Sequence, residues 1–334
     1  MRKVVYVIVC SLIVGASIAA ILWWHSFANH SGTSPVAQHS VGPTKSMHSE
    51  APGFPGASSA DTSVGRSFTP TNYKQLLSQS HNYWDYAHEI LAAAKSGDPD
   101  AQYYLSKVVM HCRAENKMYF QHRGVHLTLD EGLQYAVKRH LPMDVAQSVY
   151  DRCHQFQDEN DAVLGDPTDW LAKATASAQP LAEATTASRM FMGAQMRNFA
   201  RAGGVENPSD SFDVKSDPNI DPRGLLRAAA ESKDPEVLFQ IGELQPFLDP
   251  SQKNELVTRF AWWLVACERG LDCSTTAQWV RNGCSADPVC LSSTSPQDLL
   301  RYLAGDNWAD VQVKAESISA GLDAGNWDDL GLGP

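Results

Sequence analysis

The chain has 334 residues, with 27 Lys or Arg against 38 Asp or Glu, for a formal charge of −11. An acidic surface of mixed charge argues against broad nucleic-acid binding, which needs a basic patch. Hydrophobic residues make up 43%, ordinary for a chain that buries a core, and the length suffices for one large or two ordinary domains.

Arg2 and Lys3 precede an uncharged apolar run from Val4 to Trp24. At about 1.5 Å per helical residue this is one bilayer crossing. The basic pair favours a cytoplasmic N-terminus (residues 1–3), with Trp23 and Trp24 at the far interface. The expectation is a signal anchor over 4–24, single-pass in a bacterial inner membrane, with the body in the periplasm. The alternative is a signal peptide cleaved near the small residues Ala16 to Ala20, followed by secretion. Cys10 lies inside the run with no lipid-attachment pattern before it.

Residues 25–70 are rich in Ser, Gly, Pro, Ala, Thr and His and lack apolar periodicity, the composition of a disordered linker. His25, His30, His39 and His48 fall within it at spacings that fit no compact metal site.

From residue 71 helix formers dominate, and runs of Val, Ile and Thr are absent. Asp-Pro pairs stand at 98–99, 166–167, 217–218, 221–222, 234–235, 249–250 and 287–288. Several open apolar runs of helical period, with Asp as N-cap and Pro as first helical residue. Thr128 and Glu131 have the spacing of a capping box. These signals predict helices at about 71–96, 99–113, 129–140, 142–157, 167–178, 180–201, 222–232, 235–246, 250–269, 274–283, 296–304 and 306–321. Segment 202–220 reads as a loop between an N-terminal lobe, 71–201, and a C-terminal lobe, 221–322. The tail, 323–334, is too Gly-rich for a helix; it either docks Trp327 onto the body or serves as a recognition strip.

A repeat runs through the body. With Pro99, Pro142, Pro180 and Pro235 aligned, the ninth residue before each is Ile90, Leu133, Leu171 and Leu226, and the sixth before is Ala93, Ala136, Ala174 and Ala229. A column of alanines is expected where two helices approach closely. Two residues after the prolines stand Ala101, Asp144, Ala182 and Val237, so the second copy breaks that column. The spacing of the first three anchors lies in the range of helix-pair repeats.

Within this pattern the stretch Ala92 to Leu105 (AAAKSGDPDAQYYL) resembles the Sel-like repeat, a relative of the tetratricopeptide repeat. In that family paired alanines, a Gly-Asp turn and a following Ala-Gln and Leu join two packed helices. Ala228 to Gly242 (AAAESKDPEVLFQIG) is similar, with Lys233 where the family favours Gly. The resemblance covers about 90–105 and 226–242, and the family's second half is not evident after Leu105. It implies an all-α, right-handed α-solenoid-like body of helical hairpins that binds protein partners, with no catalysis. Leu105 and Ile241 join the alanine column as repeat-packing positions.

Six cysteines follow the apolar run: Cys112, Cys153, Cys267, Cys273, Cys284 and Cys290. An even number in an exported body favours disulfides. Cys112 and Cys153 close the second helices of successive hairpins, and a bridge there needs their ends to converge. For the other four, Cys267–Cys284 with Cys273–Cys290 is the favoured pairing. A zinc site from His111-Cys112 and Cys153-His154, with His122, His126 and His140 between them, is the competing reading. Adjacent helical residues point about 100° apart, which disfavours one metal taking both members of such a pair.

No catalytic motif or phosphate-binding Gly-rich loop is present, and neither a cofactor nor a metal is expected. Glu243 reads as an exposed helix residue more readily than as a general acid, since no paired carboxylate is identifiable. Met190, Met192 and Met196 with Phe191, and Trp170, Trp262, Trp263, Trp279, Trp308 and Trp327, read as core and inter-helix anchors. The expected function is protein–protein interaction in the cell envelope by a membrane-anchored scaffold. Its alternatives are an all-α envelope enzyme whose site converges only in the fold, and a metal-handling protein.

Overall fold

A computed structural model describes residues 72–122, 125–139, 143–156, 161–201, 220–248, 255–274, 277, 279, 280, 290, 293 and 295–333. The expected anchor, linker and 202–220 loop lie outside these residues, apart from Ile220, as do Cys10, Pro142, Cys284 and most of the expected 274–283 helix. Among the described residues no helix is long and apolar enough to cross a membrane.

The described body is mostly helical: α1 Tyr73–Gln79, α2 Tyr83–Lys95, α3 Pro99–Tyr119, α4 Leu129–Lys138, α5 Met143–Cys153, α6 Pro167–Ala176, α7 Pro180–Arg201, α8 Pro222–Glu231, α9 Pro235–Glu243, α10 Gln245–Leu248, α11 Glu255–Glu268, α12 Pro296–Ala304 and α13 Trp308–Ala324. The Asp-Pro signals are read directly into the backbone. Asp98, Asp166, Asp221 and Asp234 cap α3, α6, α8 and α9 through side-chain oxygens that accept first-turn N–H groups, each with Pro in the first turn. Thr128 and Glu131 form the reciprocal capping box of α4.

Two local differences have clear causes. The single helix expected over 71–96 is broken because Asn82 takes an extended conformation, and its side chain accepts N–H bonds from Trp84 and Asp85, starting α2 afresh. A short antiparallel pair, β1 Gln121–His122 and β2 Val125–His126, joins α3 to α4. Strands of this length carry no periodic signal.

Helices pack mainly on their neighbours in a fixed order: α2 on α3, α3 on α6, α6 on α7, α7 on α8, α8 on α9, α9 on α11 and α11 on α13. The α4–α5 hairpin stands outside this order and packs on the flank of α3, with α5 also touching α2. This is the copy whose small-residue column is broken at Asp144. The hairpins that keep Ala101, Ala182 and Val237, all fully buried, are the ones that follow this packing order.

The turns inside the hairpins use left-handed residues. Gly97 has φ +97°, Ala178 +55° and Lys233 +55°. At the first two, the N–H one residue on reaches back to an alanine carbonyl: Asp98 to Ala93 at 3.1 Å and Gln179 to Ala174 at 3.1 Å. Lys233 takes a left-handed conformation at the turn where the first hairpin has Gly97.

The tail docks. Leu330 and Leu332 are buried, with Leu330 lying against Gly321 of α13. Arg223 of α8 donates to the Gly331 carbonyl at 2.8 Å and to the Leu248 carbonyl at 2.6 Å. Trp327 packs partly buried beside them.

Candidate functional site

Helix α9 has the sequence PEVLFQIGE. Val237, Leu238, Phe239, Ile241 and Gly242 are buried. Glu236, Gln240 and Glu243 recur at the i, i+4 and i+7 positions of one face and are half-buried. This polar stripe runs between two groups of side chains supplied by other helices, and it places a carboxylate in each.

At the N-terminal end, Glu236 receives Lys74 of α1 at 2.5 Å and Lys107 of α3 at 3.9 Å. The Lys107 ammonium lies 5.7 Å from the centre of the Tyr103 ring and 5.6 Å from that of Tyr104. Burial alone would raise the Glu236 pKa, but Lys107 and Lys74 more than offset it and hold the carboxylate below its usual range. Burial would likewise lower Lys107, and Tyr103 and Glu236 reverse this, so its pKa is raised. The Lys107 and Glu236 side chains keep 29% and 21% of their exposure, so the pair forms a rim open to solvent. Nearby, the Tyr73 hydroxyl donates to Asp98 at 2.8 Å, and the Tyr86 hydroxyl donates to the Tyr73 carbonyl at 3.1 Å.

At the C-terminal end, Glu243 faces Arg259 and Trp263 of α11. Burial pushes its carboxyl up to about 8, although Arg259 and Trp263 pull the other way. Its Oε1 is cut off from solvent and accepts no hydrogen bond; the same holds for Gln240 Oε1. Arg259 is drawn partly aside by Glu255, one helical turn away at 2.7 Å. Aromatic rings close this end: Phe239 stacks on Trp263 at 5.2 Å, and Trp279 lies 5.1 Å from Phe239 and 5.3 Å from Trp263. Glu243 is therefore not an exposed helix residue. One stripe carries a carboxylate held ionised and another that keeps its proton at neutral pH.

Of the positions expected to pack between repeats, Ala136, Ala174, Ala229, Leu105 and Ile241 are fully buried, whereas Ala93 is only half-buried and the fully buried residue there is its neighbour Ala94. Trp170, Trp262, Trp263 and Trp279 are buried, as is Met192. Phe191, Trp308 and Trp327 pack partly buried against the core.

The cysteines divide differently from expectation. Cys112 of α3 bridges Cys153 at the end of α5, with Cα atoms 5.0 Å apart. The ends converge because α5 packs on α3, and Asn116 donates to the Cys153 carbonyl at 2.8 Å and the Phe156 carbonyl at 2.7 Å. In the C-terminal group Cys267 bridges Cys273, which overturns the favoured Cys267–Cys284 and Cys273–Cys290 pairing. Gly270, at φ +106°, ends α11 by turning the chain back, with the Leu271 N–H on the Ala266 carbonyl at 2.9 Å. That turn returns Cys273 to the last turn of the helix carrying Cys267, a closure sequence spacing did not reveal. Cys290 is also disulfide-bonded.

Lys74, Lys107 and Glu236 carry no signal as a group in the sequence, since they lie on three different helices. The i, i+4, i+7 spacing of Glu236, Gln240 and Glu243 within an otherwise apolar helix was readable. No protein-family model, no curated protein and no solved structure matches the chain.

Proposed function

We propose that this protein is a membrane-anchored scaffold of the bacterial envelope, whose periplasmic body of helical hairpins binds protein partners. The observation that carries the reading is the packing order. The second helix of each stacked hairpin lies on the next helix in the series, α3 on α6, α7 on α8 and α9 on α11. Helix pairs stacked in this way form α-solenoids, whose extended faces serve as binding surfaces. The buried alanines Ala94, Ala174 and Ala229 allow the close approach such stacking needs. The disulfides suit an oxidising compartment, and the apolar run 4–24 behind Arg2 and Lys3 supplies the anchor.

A second reading, an envelope enzyme, rests on Glu243, a carboxyl titrating near pH 8 beside Arg259. The two readings separate in crosslinking with mass spectrometry on the full-length protein in its own cells. A reproducible set of envelope proteins crosslinked through residues of the helical body supports the scaffold. Crosslinks confined to the first 70 residues, with a monomeric body, overturn it.

A further inference from the structure

Cys112 and Cys153 do not stand alone. The His111 ring lies beside them, and one donor atom from each of the three residues falls within 4.8 Å of the other two. His111 and Cys112 are adjacent on α3, and adjacent helical side chains leave the axis about 100° apart. Cys153 comes from α5, and even so the His111 donor lies within 4.8 Å of both sulfurs. Tyr83 of α2 packs edge-on against the imidazole with ring centres 5.9 Å apart.

We infer that this group is a redox-gated zinc site: closed while Cys112 and Cys153 are bridged, and formed by two thiolates and the His111 imidazole once the bridge is reduced. Zinc takes Cys sulfur at about 2.3 Å and His nitrogen at about 2.0 Å, which puts donors roughly 3.5–4 Å apart around one ion. The imidazole donor lies within 4.8 Å of both sulfurs, and opening the bridge frees the sulfurs to part to the spacing that one ion needs. Charge selects the ion. Both cysteines are fully buried, and a divalent cation with two thiolates and a neutral imidazole has no net charge, whereas a monovalent cation would leave one buried negative charge. Three protein donors leave the fourth zinc position to water.

The chemistry balances. A dithiol reductant, the class that thiol–disulfide oxidoreductases provide, gives two electrons and two protons to the Cys112–Cys153 bond and becomes a disulfide itself. Binding of the ion then releases both thiol protons. The inference does not depend on the scaffold reading.

The test uses the full-length chain, reduced anaerobically with a dithiol, desalted, and titrated with zinc ions against a chromophoric chelator. Because the other cysteines are also reduced, comparison with C112S/C153S and with His111→Phe isolates this site. The expected result is a zinc equivalent taken up by the reduced protein, absent from the oxidised protein and from C112S/C153S, and held at least tenfold more weakly by His111→Phe. His111→Phe keeps the disulfide, so a matching oxidised circular-dichroism spectrum establishes that it folds. Zinc-edge X-ray absorption of the loaded protein should show two sulfurs and one imidazole nitrogen. Equal uptake by the reduced C112S/C153S variant, unchanged affinity in His111→Phe, or a four-sulfur shell overturns the inference.

Discussion

Lys107 on α3 and Glu236 on α9 stand 3.9 Å apart, so the α2–α3 and α8–α9 hairpins touch directly. With Lys74 also on Glu236, three helices distant in sequence share one carboxylate. Removing the shared carboxylate leaves two ammonium groups near each other at a partly exposed rim without their counter-charge.

Glu236→Gln should therefore destabilise the body by about 1 kcal/mol at neutral pH, read by urea denaturation. The pKa of Glu236 is lowered in the fold from its ordinary 4.5. Its stabilising contribution is complete above pH 4.5 and is lost as pH falls through the lowered value. The variant should show a correspondingly shallower acid transition. An identical acid profile would mean that the carboxylate is not held by the lysines.

Glu243 works in the opposite direction. Its folded pKa, pushed up to about 8, lies above its unfolded one. The stability linked to its proton is present below about pH 4.5 and declines as pH rises toward 8. Glu243→Gln removes that decline and should be more stable than the parent above pH 8, by about 2 kcal/mol. Denaturation midpoints for both proteins at pH 5 and pH 8.5 measure it; parallel changes in the two would contradict the assignment.

A Cβ on Gly242 would sit 2.9 Å from both Trp262 Cβ and Trp263 Cδ1, and 3.2 Å from the Arg259 carbonyl oxygen. Neither the backbone of α11 nor the first carbon of a side chain yields easily. Gly242→Ala should cost about 1–3 kcal/mol by overpacking the α9–α11 contact, and Ala229→Leu should cost a similar amount on α8. An unchanged melting temperature in both would refute these close approaches.

Ala178 holds a left-handed conformation at φ +55°, and its side chain is exposed. Ala178→Gly should stabilise the body by about 0.5–1 kcal/mol, since the strain relieved exceeds the unfolded-state entropy added. Gly97→Ala, at φ +97° with nothing within 4 Å of the added carbon, should lose about as much. Thermal melts of the pair, run side by side, should shift in opposite directions.

Local features were legible in the sequence because they depend on neighbours along the chain. The Asp-Pro pairs at 98, 166, 221 and 234 set helix starts through bonds spanning two or three residues, and Thr128 with Glu131 did the same for α4. The all-α character of the described body followed from these signals and from helical periodicity. The broken column at Asp144 already marked the α4–α5 hairpin as different, but could not say that it packs on the flank of α3.

What joins distant segments was decided only by the tertiary structure. Cys273 pairs with Cys267 because Gly270 reverses the chain. Glu243 keeps its proton because α11 covers it, and Lys107 meets Glu236 because folding brings α3 and α9 together. A pKa or a cross-helix contact depends on which surfaces exclude water, and that exclusion exists only once helices far apart in the sequence have packed.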